Sequence, residues 1–310
     1  MGSSGCPPRQ HLEPKLRVTQ RLESREVSRR SERLNNILTV DVEEWYHARY
    51  VMNRASGRRE ERVSDSLATT LELLNEHNVR ATFFIVGELA EKHPEILETI
   101  SDRGHEIAFH GWHHEPLWEI DAERFRSQIR RFNLLLNEKC LGFRAPSFSL
   151  SNRTRWTLGV LEGEGFIYDS SIFPVKTPLY GVLGAPVEPY RPSHEDLREK
   201  DESRRLWEFP LLTYSLMGLK IPMAGGFYLR VFPSSLVRAS IARMNKRGAP
   251  AVVYVHNWEL DPGTPRLRLS PLHSFVTYYN GKETGKRMKA ILSDSRFTSF
   301  RDYMEEQGLA

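Results

Sequence analysis

Short apolar runs alternate with amphipathic stretches along most of this chain. The runs are ILTV at 37–40, ATFFIV at 81–86, EIAF at 106–109 and AVVYV at 251–255. They are rich in β-branched or aromatic residues and largely apolar at consecutive positions, the pattern of strands covered on both faces of a parallel sheet. Between them, Leu67, Leu71 and Leu74 recur at helical spacing and predict a helix over 64–77, with Ser64 or Asp65 as its cap. Two short helices fit 87–104, where Pro94 suits a first turn and Gly104 a C-terminal cap. Phe125, Ile129, Phe132 and Leu136 make the buried stripe of a helix over 121–139. Further helices are expected at 152–164, 234–247, 274–292 and 300–307, with short strands before Arg144 and Asp169. This strand–helix alternation predicts a parallel α/β architecture.

Two segments depart from the pattern. Residues 1–35 are rich in Arg, Glu, Ser and Pro, and read as a disordered basic leader before an ordered domain over 36–310. Residues 175–232 hold many prolines and glycines, a charged stretch at 193–205, and strand-like pieces LWEFPLLTY and GLKIPMAGGFYLR. They read as a β-rich insertion over a barrel mouth, with Gly225-Gly226 marking a close backbone approach.

Composition changes this picture little. The chain of 310 residues is 39% hydrophobic and 27% charged, as in ordinary globular proteins. Its formal charge of +4 belongs to the leader, which carries eight basic and four acidic residues; the remainder is neutral. No nucleic-acid partner is therefore expected. Cys6 and Cys140 make neither a disulfide framework nor a metal motif. No apolar run approaches the ~20 residues of a membrane span, and no secretory signal is seen, so a cytoplasmic setting is expected.

The candidate chemistry lies at the ends of predicted strands. In HGWHH, His110 and His114 stand four apart. On a helical turn that spacing brings Cβ atoms to ~5–6 Å, close enough for two imidazoles to share one metal. Asp41, Glu43 and Glu44 end the first strand, Arg144 and Asp169 end two more, and His256 ends the last clear one. In a barrel such ends converge on one face. Two histidines and a carboxylate form the open arrangement of a catalytic zinc site. A second carboxylate can take a proton from water, Arg144 can orient it, and His256 can protonate a leaving group.

TVDVEEW, HGWHH, FRAPS and VHNWELDP, in this order, resemble the motifs of the NodB-type polysaccharide deacetylases. More narrowly the chain resembles the branch found beside exosortase-linked exopolysaccharide clusters, which also has a YYN segment like Tyr278–Asn280. The resemblance implies a distorted (β/α)7 barrel and metal-dependent N-deacetylation of an amino sugar, with zinc as the expected metal. It makes Asp41 the catalytic base, His110 and His114 metal ligands, Arg144 the residue that positions the base and His256 the general acid. The third ligand departs from the family, whose adjacent aspartates are replaced here by Asp41 and Val42. Strand alternation sets Asp41 and Glu43 on one face, favouring Glu43 as ligand with Glu44 as the fallback. His113 competes with His114, and motif spacing favours His114. Asp169, Trp112, Trp258 and Tyr228 are candidate substrate contacts, with Trp118 a further aromatic. Two alternatives stay open: a hydrolase of another non-peptide C–N bond, and a sugar-binding protein without catalysis.

Overall fold

In the computed structural model, Met1 and residues 34–309 are described, apart from 56–58, 178–179 and 217–218. The expected leader therefore lies almost wholly outside the described residues. The architecture is built on β1 (Asn36–Val42), whose seven residues are all buried. Leu38, Val40 and Val42 alternate with Thr39 and Asp41, so one face packs into apolar surroundings while the other carries polar groups.

On one edge of β1 follow β2 (Thr82–Ile85), β3 (Glu106–Phe109), β4 (Gly142–Phe143), β5 (Tyr168–Asp169) and β6 (Trp207–Glu208), all parallel. A separate antiparallel hairpin, β7 (Thr213–Leu216) and β8 (Leu219–Pro222), comes next in the chain. β9 (Val252–His256) then pairs parallel with the other edge of β1, setting His256 directly across from Asp41. The seam between β6 and β9 is bridged where the Leu212 amide donates to the Val252 carbonyl, at 3.0 Å. Seven parallel strands curl in this way into the expected distorted (β/α)7 barrel, and β10 (Phe297–Thr298) adds beside the start of β1.

The helices are α1 (Val63–Glu76), α2 (Gly87–Lys92), α3 (Glu95–Ser101), α4 (Ala122–Leu136), α5 (Trp156–Glu164), α6 (Gly226–Val231), α7 (Ser234–Asn245), α8 (Asn257–Leu260), α9 (Pro271–Tyr278), α10 (Thr284–Asp294) and α11 (Phe300–Gln307). Several differ from the sequence reading. Neither Ser64 nor Asp65 caps α1; the Glu44 carboxylate accepts from the Arg62 and Val63 amides at 2.8 and 2.9 Å. A carboxylate at a helix N-terminus meets both the orphan amides and the helix dipole, but this one arrives from 18 residues away. The helix expected over 152–164 begins at Trp156, and that expected over 274–292 is broken around Asn280, whose φ is 49°. The 175–232 section is β-rich only in part. β6 belongs to the barrel, the β7–β8 hairpin is extra, and FYLR is helical in α6. A short apolar run does not by itself distinguish strand from helix.

Candidate active site

The alternation of β1 sets up the site. Thr39 and Asp41 face the fully buried Arg144 at the end of β4, whose Nη1 donates to Asp41 Oδ1 and Thr39 Oγ1, both at 2.6 Å. Arg144 also donates through Nε and Nη2 to the Ser170 carbonyl and hydroxyl, each at 2.9 Å, and its guanidinium lies 4.2 Å from the Phe84 ring centroid. A guanidinium held at four points fixes the Asp41 carboxylate it grips.

Two residues along, Glu43 is buried and meets both predicted histidines. Glu43, His110 and His114 each bring one ligand atom within 4.8 Å of the others, all three side chains being buried. His110 follows β3 and its Nδ1–H donates to the Arg144 carbonyl at 2.8 Å, which turns Nε2 toward Glu43. The expected helical turn after His110 is absent. Gly111 (φ 75°) and His114 (φ 56°) take left-handed conformations, and this irregular turn carries the second imidazole back. A Cβ on Gly111 would sit 2.9 Å from Pro146, so the position suits glycine. His113 points elsewhere, pairing with Glu88 at 2.7 Å. Glu44 is committed to α1, which leaves Glu43 as the carboxylate of the cluster.

The donor set fits a divalent cation. Glu43 Oε2 lies 2.7 Å from His114 Nε2 and has no other partner among the described residues. Burial would raise the Glu43 carboxyl, but the imidazoles of His114, His256 and His110 outweigh it and hold it well below the usual range. Burial also lowers His110 to about 4, keeping it a neutral lone-pair donor. A carboxylate and two imidazoles suit Zn²⁺ chemistry.

His256 stands on the far side. Its Nδ1 meets Glu259 Oε2 at 2.9 Å, its Nε2 lies 3.4 Å from Glu43 Oε1, and its ring stacks on Trp258 at 5.3 Å. Burial opposes protonation of His256, yet Glu43 and Glu259 outweigh it and raise the group to about 9. Glu259 is itself gripped by the buried Arg230, which also donates to the Val276 carbonyl. Gly226 allows this packing, since a Cβ there would lie 1.8 Å from Glu259 Oε2. The sequence reading assigned neither Glu259 nor Arg230 a role. The His256-x-x-Glu259 spacing of a capping box was a local signal for the first; Arg230 had none.

These groups line one cavity of about 390 Å³, with Tyr180, Tyr228, Phe227 and Tyr254 on one wall and Leu272 and Val276 at α9. Trp258 lines it and donates to Glu43 Oε1 at 3.1 Å, so it supports the carboxylate. Trp112 does not reach it, being buried against Gly87 beneath Arg131. Nor does Asp169, which is wholly buried beside Glu208 across the β5–β6 pair and accepts from the Ser171 hydroxyl. Unpredicted neighbours include His47, stacked on His114 at 5.5 Å, and Asn257, whose side chain accepts from the Glu43 amide at 3.0 Å.

Residues 59–161 match the family described as polysaccharide deacetylase, and residues 170–305 match a family described as a domain of unknown function, DUF3473. Residues 59–161 are thus similar to the polysaccharide deacetylases. It is 38% identical over 93 residues to a peptidoglycan-N-acetylglucosamine deacetylase of Bacillus cereus, covering 28% of this chain and 33% of that one. A chitooligosaccharide deacetylase of Rhizobium leguminosarum bv. trifolii is 33% identical over 70 residues, covering 23% and 33%. The chain thus spans about a third of the length of these curated relatives. A crystal structure from Mycobacterium smegmatis, assigned to the polysaccharide deacetylases, superposes with a TM-score of 0.57 at 20% identity over 89% of this chain and 90% of that one, and shares the fold. His110, His114 and Arg144 lie in the first matched segment, while His256 and Glu259 lie in the second. The cavity draws on both.

Proposed function

We propose that this protein is a metal-dependent hydrolase that removes N-acetyl groups from amino sugars of a polysaccharide or its precursor. The observation that carries this reading is the meeting, in one cavity, of an arginine-held aspartate, a Glu-His-His cluster and a carboxylate-backed histidine. Glu43, His110 and His114 would hold a divalent metal, zinc in this proposal, which would supply Lewis acidity toward an amide carbonyl and a water. Asp41, held through Oδ1, takes the proton of the attacking water. His256, fixed at Nδ1 by Glu259, delivers a proton from Nε2 to the departing amine. The aromatic wall and the α9 edge bind sugar rings. The VDVEE, HGWHH and WELDP segments support an exopolysaccharide as the polymer.

The test pairs elemental analysis with acetate release from N-acetylated oligosaccharides. We expect near one metal equivalent in the wild type, loss of metal in His110→Ala/His114→Ala, and retained metal without turnover in Asp41→Asn. Absence of metal in the wild type after incubation with Zn²⁺, Co²⁺ or Ni²⁺, or full activity in Asp41→Asn, refutes the proposal.

A further inference from the structure

The two imidazoles of the Glu-His-His cluster are not held alike. His110 meets the ordinary requirement of a metal-ligating histidine, since its second ring nitrogen donates to the Arg144 carbonyl at 2.8 Å. His114 does not. Its Nε2 faces Glu43, while its Nδ1 is buried and has no hydrogen-bond partner among the described residues. Its backbone is also left-handed, at φ 56°, which a residue other than glycine adopts only where its surroundings impose it. Something else must set the plane of this ring.

Against it lies His47, parallel to within 8° at a centroid distance of 5.5 Å. His47 comes from the stretch that supplies Glu43, four residues further on, where a short helical turn over Trp45–His47 brings it beside the cluster. It is buried, and its Nε2 stands 3.4 Å from Glu88 Oε1. Glu88 Oε2 in turn meets His113 Nδ1 at 2.7 Å. One carboxylate in the first turn of α2 thus ties the residue before His114 to the ring stacked on His114. The backbone of α2 makes the same connection. The Gly87 and Glu88 amides, orphan donors at a helix start, donate to the Gly111 and Trp112 carbonyls, each at 2.9 Å. The left-handed turn is therefore docked on α2 through each of the three residues before His114.

We propose that Glu88 and His47 are positioning residues for the metal site: Glu88 holds the His47 ring, and the face of His47 aligns the His114 imidazole where no hydrogen bond does. A stacked ring resists tilting of the imidazole and leaves rotation within its plane to the backbone and Glu43. Packing alone would be met by any apolar side chain. The carboxylate behind His47 fixes the plane of that ring as well as its place. The same arrangement gives a role to the histidine of HGWHH that does not face the cluster, since His113 anchors Glu88 instead. This inference rests on the metal site of the proposed function and adds to it two residues outside the ligand set.

The test measures metal binding by the full chain rather than turnover. Zinc affinity is read by competition with a chelator, ligand geometry by the visible absorption of added Co²⁺, and folding by the thermal midpoint in EDTA. We expect His47→Ala to bind zinc on the order of tenfold or more weakly than the wild type, and to shift the Co²⁺ bands. His47→Phe keeps a flat ring in that place, so it should recover most of the affinity and the wild-type bands. Glu88→Ala should weaken zinc binding as well, with a smaller loss. Wild-type zinc affinity in His47→Ala or in Glu88→Ala overturns the inference. So does a loss that His47→Phe fails to recover, which would mark a fold defect that the midpoint in EDTA registers. No zinc bound by the wild type refutes the metal site itself, and this inference falls with it.

Discussion

The Arg144–Asp41 pair offers a quantitative test of how the site is held. Both side chains are buried, at 0% and 2% exposure, and meet at 2.6 Å. Arg144→Met keeps length and apolar volume but leaves the Asp41 carboxylate buried without its cation. Breaking a buried pair from one side destabilises by roughly 3–5 kcal/mol. For a domain of this size that is a fall in midpoint of about 6–20 °C. Asp41→Asn is milder, because Arg144 keeps Thr39 Oγ1 and both Ser170 oxygens; about 1–3 kcal/mol is expected. The double variant removes both charges together, so the two effects should fall short of additivity by roughly 2–3 kcal/mol. Urea unfolding followed by circular dichroism, with EDTA in every sample to remove linkage to metal, measures all four corners. A coupling energy below ~0.5 kcal/mol would refute the view that Arg144 is there to hold the Asp41 charge.

Other consequences are as direct. Glu44→Ala should lose about 1 kcal/mol of stability, as a lost helix cap does, yet keep its metal, whereas Glu43→Ala should lose the metal; the reverse pattern would exchange the two roles. Gly226→Ala would force a Cβ into the Glu259 carboxylate and release His256, so turnover should fall at least ~100-fold with metal content unchanged. Equal activity would show that Glu259 does not position His256. In the Asp169–Glu208 pair burial raises both carboxyls, Asp169 to about 6 and Glu208 further, because Asp169 lies against it. Raised carboxyls stabilise fully below their unfolded values near 4, and that contribution is lost as pH climbs through the folded ones. Glu208→Gln should therefore flatten the decline of stability between pH 5 and 8, measured by urea midpoints; an unchanged slope would mean the two carboxyls share no proton.

Much of this site was legible in one dimension because its chemistry sits where buried strands end. The apolar runs mark β1, β2, β3 and β9; Asp41 is the last residue but one of β1, His110 follows Phe109 at the end of β3, and His256 ends β9. Alternation along β1 was enough to group Asp41 with Glu43 and to send Val42 into the core. The errors share a cause as well. The His110–His114 spacing suggests a helix, but Gly111 and His114 build a left-handed turn that reaches the same convergence by another path. Trp112 was a candidate substrate contact and is packed against Gly87 instead, since aromatic residues near a site look alike whether they face the cavity or the core.

The amino-acid sequence by itself determined the parallel α/β alternation, the strand ends that carry the polar groups, and which carboxylates and imidazoles stand there. Periodicity and residue chemistry are local properties, written into neighbouring positions. Only the tertiary structure decided that Glu44 caps α1, that Arg230 and Gly226 frame Glu259, and that Asp169 pairs with Glu208 beneath the site. Each of these joins residues from separate elements. Their partners are chosen by what must be satisfied once a charge is buried, and burial is a property of the folded chain alone.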